Sequence, residues 1–217
     1  MTNHQPEEAG VADSRRVRML QAAVEVIEER GFSDTRIADV AERADASPAL
    51  VIYYFQTKDN LLAEALRYAE DLFYEAGARR SAADASAGDR LAEIVELSCI
   101  PQGQGPMDSW VLWLDLWAQA VRHPEVAAVR EQFDRRWRET ITAIVTDGQA
   151  AGEFGPVDVD DFALTFSALL DGLAVQMALA DRVVTPARAF DLCLRFAADQ
   201  LGFEWSPAPP AKRARRR

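Results

Sequence analysis

Apolar residues recur every three or four positions along most of this 217-residue chain, and no strand-like alternation of apolar and polar residues occurs. This spacing places the apolar side chains on one face of a helix, so the pattern predicts helices separated by short breaks. We predict four helices between residues 15 and 80, followed by helices over 89–98, 108–122, 125–152, 159–180 and 186–201. The predicted fold class is all-α, with an N-terminal three-helix head and a larger helical body.

The stretch from residue 35 to residue 62 predicts two short helices joined by a tight turn. The first begins at Thr35, whose hydroxyl can accept a hydrogen bond from a backbone N–H one turn later. Ser47 and Pro48 supply an N-cap and a residue whose fixed φ suits the first helical position. A second helix therefore starts there and runs to about Tyr54. Such an arrangement is typical of a helix-turn-helix that reads DNA.

The second helix of this pair is short and two-sided. The positions spaced to pack inward are Leu50, Val51 and Tyr54. The positions left for another surface are Ala49, Ile52 and Tyr53. In the next segment Thr57 is a candidate cap, and Lys58 lies in the first turn, where the helix N-terminus and a cation both attract a DNA phosphate. A phosphate contact of this kind positions a protein on DNA without reading sequence.

These residues resemble the signature of the tetracycline-repressor (TetR) family of one-component transcriptional regulators. The resemblance covers residues 18–62, and Gly31 with Phe32 occupies the place of the family's usual Gly-aromatic pair. Ile52 replaces a frequent phosphate-contacting Tyr, and Leu50 replaces a polar residue that often touches DNA. The resemblance implies a ligand-responsive regulator, more often a repressor, that a small-molecule effector releases from a palindromic operator. The candidate DNA-binding residues are Thr35, Arg36, Ser47, Pro48, Ala49, Leu50, Ile52, Tyr53, Tyr54 and Lys58.

Other interpretations stay open at this point. The same segment fits an ordinary three-helix core, and the whole chain fits a helical protein-interaction adaptor without DNA binding. An enzyme is not predicted, because His4 and His123 are the only histidines and no triad or metal cluster can be assembled from them. Gly103 and Gly105 lack the ending of a phosphate-binding loop, so we expect a surface turn there. We expect no cofactor and no metal site.

The charge of the chain restricts how it could bind DNA. The formal net charge is −11, and residues 1–60 alone carry eleven acidic and seven basic side chains. Most of the remaining acidity lies in residues 61–211, while the last six residues carry five basic side chains. Affinity for phosphates must therefore come from a local patch of the head. The candidate members of this basic patch are Arg15, Arg16, Arg18, Arg36 and Lys58.

The segment 109–121 carries three tryptophans and one charge. Trp110, Trp113 and Trp117 share a helical face, and apolar residues occupy most of the rest, which predicts a buried helix. Asp115 then needs a partner, because an unpaired buried carboxylate is unfavourable. Tryptophan faces beside a carboxylate suit an amine or a quaternary ammonium. The candidate ligand-binding residues are Trp110, Trp113, Asp115, Trp117, Trp137, Phe166, Asp171 and Gln176.

Two interpretations of this segment remain open. The tryptophans could simply be core, with Asp115 paired to an arginine such as Arg122, Arg135 or Arg138. Alternatively they line an effector pocket, since the resembled regulators bind effectors inside this helical body. Coupling an effector to DNA release requires the effector to favour one of two states of the protein.

The last two helices carry more apolar surface than one small subunit needs. In the resembled proteins these helices pair with their twofold mates, so the resemblance implies a homodimer through the last two helices. Four small residues would permit close approach between helices, namely Ala168, Gly172, Ala174 and Ala178. The expected partners are a double-stranded DNA operator, an unidentified small-molecule effector and a second copy of the chain, with no membrane partner.

The expected organisation has four parts. These are a frayed N-terminus (1–12), a helix-turn-helix domain (13–60), a ligand-binding and dimerisation domain (61–204), and a Pro-rich spacer with a disordered basic tail (205–217). Cys99 and Cys193 match no metal or disulfide spacing. No signal-peptide pattern occurs at the start, and charges interrupt every apolar run before membrane-spanning length. These features predict a cytoplasmic protein.

Overall fold

A computed structural model describes residues 5–80, 85–99 and 110–205 of the chain. These residues form helices and connecting turns, and no strand occurs within the described ranges. The helices are α1 (Gln5–Arg30), α2 (Ile37–Arg43), α3 (Pro48–Phe55), α4 (Lys58–Arg80), α5 (Ala87–Cys99), α6 (Trp110–Ala120), α7 (Pro124–Ala150), α8 (Val159–Ala178) and α9 (Pro186–Leu201). The prediction of an all-α chain with a three-helix head is confirmed.

The chain divides into two compact units. Within its described residues, unit 1 contains α1 to α4, α6 and the first part of α7, up to Trp137. In this unit α1 packs on α2, α4 and α6, and α3 packs on α2 and α4. Val24, Val40, Val51 and Leu61 are each completely buried in the shared core. The head therefore owes its shape to apolar residues that recur at helical spacing.

Unit 2 contains α5, the remainder of α7, α8 and α9 in its described residues. Helix α9 packs on α5 and α8, and α5 packs on α8. Gly148 of α7 permits a close approach, because a Cβ there would lie 2.3 Å from the ring of Phe154. Cys99 and Cys193 are buried free thiols. They are far apart in the sequence, and a hydrogen bond connects their side chains in the fold. This bond and burial raise the pKa of Cys193, whereas the bond lowers the pKa of Cys99.

Several helix ends follow the predicted capping chemistry. The Thr57 hydroxyl accepts a hydrogen bond from the Asn60 N–H at 3.1 Å, so Thr57 is a cap as predicted. Gly31 ends α1 with a φ of +82°, a conformation that glycine adopts without strain.

The prediction for Thr35 is wrong. Helix α2 begins at Ile37, and Arg36 is at its N-cap without a side-chain hydrogen bond. The Thr35 hydroxyl instead donates to the Gly31 carbonyl at 2.8 Å, and the residue is only 1% exposed. The hydroxyl that we expected to cap α2 therefore bonds to a backbone carbonyl in the preceding turn.

The remaining expectations concern the N-terminus and three segments outside the described residues. Helix α1 begins at Gln5, so most of the stretch expected to be frayed (1–12) is helical. The expected break at 101–106, the cap at residue 108 or 109, and the basic tail after residue 205 lie outside the described residues.

Helix α8 is long and apolar enough, by length and composition, to be a candidate membrane span in the described part of the chain. Its Phe162, Phe166, Leu170 and Leu173 are nonetheless buried inside the protein. A core helix meets the same criteria of length and composition.

Candidate DNA-binding and effector sites

Helix α3 is held at its start by the chemistry that the sequence predicted. The Ser47 hydroxyl accepts a hydrogen bond from the Leu50 N–H at 3.2 Å, and Pro48 is the first helical residue. Asp45 has a φ of +52° and reverses the chain between α2 and α3, and the Ala46 N–H donates to the Ala41 carbonyl at 2.9 Å. The two helices are thus fixed to each other by backbone hydrogen bonds as well as by packing.

The two faces of α3 are also as predicted. Val51 and Phe55 are buried, while Leu50 and Tyr54 pack partly buried against the same core. Ala49 is exposed, Ile52 is 42% exposed and Tyr53 is 78% exposed. The Tyr53 ring meets the Tyr54 ring edge to face, with centroids 5.6 Å apart. A rigid helix therefore presents a tyrosine, an isoleucine and an alanine to an outside partner.

Two of the candidate DNA-binding residues have structural roles. Thr35 is buried, so its side chain has no surface to offer DNA, and we withdraw it from the candidates. The Lys58 ammonium donates to the Ser33 carbonyl at 2.8 Å, which ties the start of α4 to the turn between α1 and α2. An ammonium has three donors, so Lys58 retains two for a phosphate. Arg36, Ser47 and Pro48 are exposed beside this surface.

The basic patch of the head is smaller than the sequence suggested. Arg16 forms an ion pair with Glu64 on α4, and its guanidinium lies 5.5 Å from the centroid of the Phe55 ring. This side chain therefore joins α1 to α3 and α4. Arg15, Arg18 and Arg36 are exposed.

Asp115 of α6 contacts the DNA-reading head directly. Its carboxylate accepts a hydrogen bond from the backbone N–H of Phe32, in the turn between α1 and α2. Gln119, one turn later on α6, donates to the Ser33 hydroxyl at 2.7 Å. Of the arginines that one of the two interpretations paired with Asp115, Arg122 bonds to the Ala118 carbonyl and Arg135 to Glu131. The partner of Asp115 is a peptide N–H.

The tryptophans of α6 are partly buried rather than completely so, which corrects the expectation of a helix buried all round. Among the α6 side chains whose burial the structure describes, Leu112 and Leu116 are the buried apolar residues. The Trp110 and Trp117 rings lie at a centroid distance of 6.2 Å with their planes tilted by 53°, and the Trp113 ring meets that of Phe133 on α7 edge to face at 5.7 Å. The predicted shared face thus exists.

The other candidate ligand residues divide between the two units. Trp137 lies in unit 1, with its ring 6.0 Å from that of Phe73. Phe166, Asp171 and Gln176 lie in unit 2 on α8. Phe166 is completely buried between the stacked rings of Phe162 and Phe196, so it has no accessible surface for a ligand here. Gln176 is exposed and donates to the Gly172 carbonyl at 3.2 Å.

A small cavity of about 190 Å³ lies within unit 1. Phe32, residues of α4 and residues of α7 line it. None of the candidate ligand residues is part of this lining, so the cavity does not support the predicted site.

A cluster of charged and aromatic residues between α4 and α7 escaped the sequence analysis. Arg136 of α7 contacts the carboxylates of Glu70 at 3.3 Å and Asp71 at 2.7 Å, and its guanidinium lies 4.0 Å from the centroid of the Tyr74 ring. Burial raises the pKa of the Glu70 carboxyl, although Arg136 acts in the opposite direction. The signal present in the sequence was the spacing of Glu70, Phe73 and Tyr74, which puts all three on one helical face.

A capped recognition helix on a three-helix head, joined to a helical body, defines a helix-turn-helix DNA-binding regulator. Comparison with known proteins identifies its kind. Residues 19–65 match the family described as bacterial regulatory proteins, tetR family. Residues 87–202 match the family described as BetI-type transcriptional repressor, C-terminal. The chain belongs to the TetR family, with a BetI-type C-terminal region.

Individual relatives agree with this assignment. The HTH-type transcriptional regulator BetI of Burkholderia thailandensis is 30% identical over 172 residues, which is 79% of this chain and 85% of the relative. A regulator from Saccharomonospora viridis, solved in complex with choline, is similar at a TM-score of 0.77 and 30% identity, covering 87% and 98% of the two chains. A TetR-family regulator from Rhodococcus sp. has a TM-score of 0.78 and 27% identity, covering 87% and 99%.

The protein is therefore a DNA-binding transcriptional regulator and not an enzyme. Regulators of this family bind DNA operators and small-molecule effectors and act as dimers. The adaptor alternative finds no support among these relatives.

Proposed function

We propose that this protein is a homodimeric repressor that holds a palindromic operator with two copies of α3 and releases it when a small organic cation binds. The observation that carries the proposal is the rigid, N-capped helix α3 with its exposed Ala49, Ile52 and Tyr53. A helix of this kind can enter the major groove with its side chains at the base edges. The regulator would act in the cytoplasm, where its operator lies.

The contacts to DNA divide into two kinds. Ala49, Leu50, Ile52, Tyr53 and Tyr54 belong to the reading helix, and the most exposed of them, Tyr53 and Ile52, are proposed to reach the bases. Arg36, Ser47, Pro48 and Lys58 flank this helix and are proposed to lie near phosphates. Phosphate contacts position the reading helix but carry no sequence information.

The proposed dimer surface lies on α8 and α9. The side of α8 that faces away from the core carries Leu164, Ala168, Gly172 and Val175 at helical spacing, and Leu179 follows at the C-cap of the helix. Leu164 is 56% exposed and Leu179 is 71% exposed, and with the small residues between them they form a continuous apolar stripe, the kind of exposed surface that marks an interaction site. A Cβ added to Gly172 would meet nothing within 4 Å in the single chain, so a second helix has room to approach there.

A test of the dimer follows from this geometry. Gly172→Leu would place a large side chain in the proposed contact, and we expect sedimentation at micromolar concentration to show monomers and operator affinity to fall. Ala143→Leu is a matched control, because Ala143 is exposed on α7 in the same unit. Dimers that persist in the Gly172 variant would contradict the proposed surface.

The effector is proposed to be choline or a related cationic amine. The related regulator from Saccharomonospora viridis was solved with choline, and the family of residues 87–202 is BetI-type. Within unit 1 the aromatic residues Trp113, Phe133, Phe73 and Trp137 form two ring pairs between α4, α6 and α7. Aromatic faces attract a desolvated cation, which supports this effector class. Trp110 and Trp117 of the same unit remain proposed effector residues, and Asp171 and Gln176 of unit 2 remain predictions from the sequence.

The function is tested by a gel shift of the full-length protein on the intergenic DNA beside its own gene. We expect a retarded protein–DNA complex. Choline should dissociate this complex, and a neutral compound of the same shape should leave it intact. A protein that never retards this DNA would contradict the proposed function. Retarded DNA that no amine releases would leave a DNA-binding regulator but contradict the effector class.

A further inference from the structure

Glu70 is a buried carboxylate whose environment demands a cation. The residue is 7% exposed, and across the α4–α7 contact its carboxylate pairs with the Arg136 guanidinium, at 3.3 Å. A buried carboxylate without a cation or hydrogen bonds is unfavourable. A positive charge close to Glu70 is therefore energetically favourable.

Aromatic rings lie beside the Glu70–Arg136 ion pair. Tyr74 lies one turn after Glu70 on α4, and the Arg136 guanidinium sits 4.0 Å from the centroid of its ring. Phe73 meets the Tyr74 ring edge to face at 5.5 Å and the Trp137 ring at 6.0 Å. A carboxylate and a ring face within reach of one cation are the elements that recognise quaternary ammonium groups.

The present occupant of this position, the Arg136 guanidinium, lies close to solvent. The Arg136 side chain is 42% exposed, so its charged end is close to solvent. It also contacts Asp71 at 2.7 Å, and the Asp71 side chain is 62% exposed. A long, flexible arginine can therefore turn outward, keep Asp71 as its partner and vacate the space between Glu70 and Tyr74.

We propose that Glu70, Tyr74 and the adjoining aromatic residues form a binding site for a small quaternary ammonium ion, and that the Arg136 guanidinium occupies this site until the ligand replaces it. This inference rests on the proposed function, since it locates the cationic effector. It moves the site from the α6 carboxylate Asp115 to the α4–α7 contact. Asp115 is committed to the Phe32 N–H instead.

A ligand that replaces Arg136 exchanges one cation for another, so the buried charge of Glu70 stays compensated. A trimethylammonium group has no N–H donors and needs only a carboxylate and ring faces around it. A zwitterion with its own carboxylate is disfavoured, because Glu70 and Asp71 repel it.

The test is isothermal titration of the full-length protein with choline and tetramethylammonium, with 3,3-dimethylbutan-1-ol as the neutral isostere of choline. Wild type should bind both cations and not the isostere. Arg136→Ala removes the competing guanidinium, so we expect choline to bind several-fold more tightly. Arg135→Ala is the matched control, because Arg135 is exposed and pairs with Glu131 on its own helix, and its affinity should equal that of wild type.

The ring supplies a second test that does not disturb the buried charge. Tyr74→Leu should weaken choline binding about tenfold, the size expected for loss of one desolvated cation–π contact. Tyr74→Phe keeps the ring and should bind as wild type does. Glu70→Gln should abolish binding of tetramethylammonium while the gel shift on the operator persists.

The outcomes separate this inference from the proposed function. Wild-type affinity for choline in both Arg136→Ala and Tyr74→Leu overturns the site, while choline release of the operator would keep the proposed function. Weaker choline binding in Arg136→Ala overturns the role of Arg136 as a competitor. Absence of any amine binding to wild type overturns both the site and the effector class.

Discussion

The carboxylate of Asp115 on α6 accepts a hydrogen bond from the backbone N–H of Phe32, in the turn between the first two helices of the DNA-binding head. The residues are 83 positions apart in the sequence. At Gly31, just before this turn, a Cβ would lie in tight contact with the Asp115 carboxylate at 3.3 Å, and the φ of +82° disfavours any side chain. Together with the hydrogen bond from Gln119 to the Ser33 hydroxyl, this contact ties helix α6 to the head.

Asp115→Ala should loosen this contact. Removing the acceptor leaves the Phe32 N–H without its partner, and such a loss lowers the free energy of unfolding by about 1–3 kcal/mol. Asp115→Asn keeps an acceptor oxygen and should lose less. Urea unfolding measures the stability difference, and equal stability of Ala and wild type would show that the contact has no energetic weight.

Tyr53 should matter for DNA and not for stability. Its side chain is 78% exposed, so Tyr53→Ala should change the free energy of unfolding by less than about 0.5 kcal/mol. If Tyr53 reaches the operator, affinity should fall by about tenfold, which is ~1.4 kcal/mol. Val51→Ala is the informative contrast, because Val51 is fully buried and its loss should destabilise the head. Unaltered operator affinity in Tyr53→Ala would remove Tyr53 from the reading surface.

Gly148→Ala should destabilise unit 2. The added Cβ would lie 2.3 Å from Phe154 and 2.8 Å from the Ala87 Cβ, and relief of such crowding costs about 1–3 kcal/mol. Gly88→Ala is the matched control, since its Cβ would approach no nearer than 3.5 Å. Thermal unfolding compares the two variants. A Gly148 variant as stable as the Gly88 variant would mean that Phe154 moves aside freely.

Stability should fall as pH rises through the titration of Glu70. Burial raises the pKa of this carboxyl above its ordinary value of 4.5, while Arg136 and Arg67 lower it and Asp71 raises it further. The folded state therefore binds more protons than the unfolded state between the two pKa values, and the stability gained at low pH is lost across that window. Urea unfolding from about pH 4 upward should show a shallower decline for Glu70→Gln than for wild type. Glu131→Gln, at an exposed carboxylate, should keep the wild-type slope.

Local chemistry made part of the protein predictable. Ser47 and Pro48 define the start of α3 through contacts that are local in the sequence. The inward direction of Val51 and the outward direction of Ile52 and Tyr53 follow from helical geometry alone. Thr35 shows the limit of such reasoning. Its hydroxyl had two acceptable partners, and the choice of the Gly31 carbonyl depended on burial that only the packed head creates.

Long-range pairs could not be predicted in the same way. The partner of Asp115 is a backbone N–H, and the sequence does not distinguish one backbone N–H from another. Glu70 and Arg136 are 66 positions apart, and each also has oppositely charged residues close by in sequence. The packing of α4 against α7 selects between those partners. The tryptophans of α6 were correctly placed on one face, yet their depth in the fold depended on α7.

The Arg16–Glu64 ion pair affects how strongly DNA binding by the regulator depends on salt. An arginine that holds the head together is not available to displace counterions from DNA, and the first sixty residues already contain more acidic than basic side chains. Each phosphate contact that a protein forgoes makes its complex less sensitive to the ionic environment. Operator occupancy should therefore depend less steeply on the ionic strength inside the cell than it would with Arg16 free to contact a phosphate.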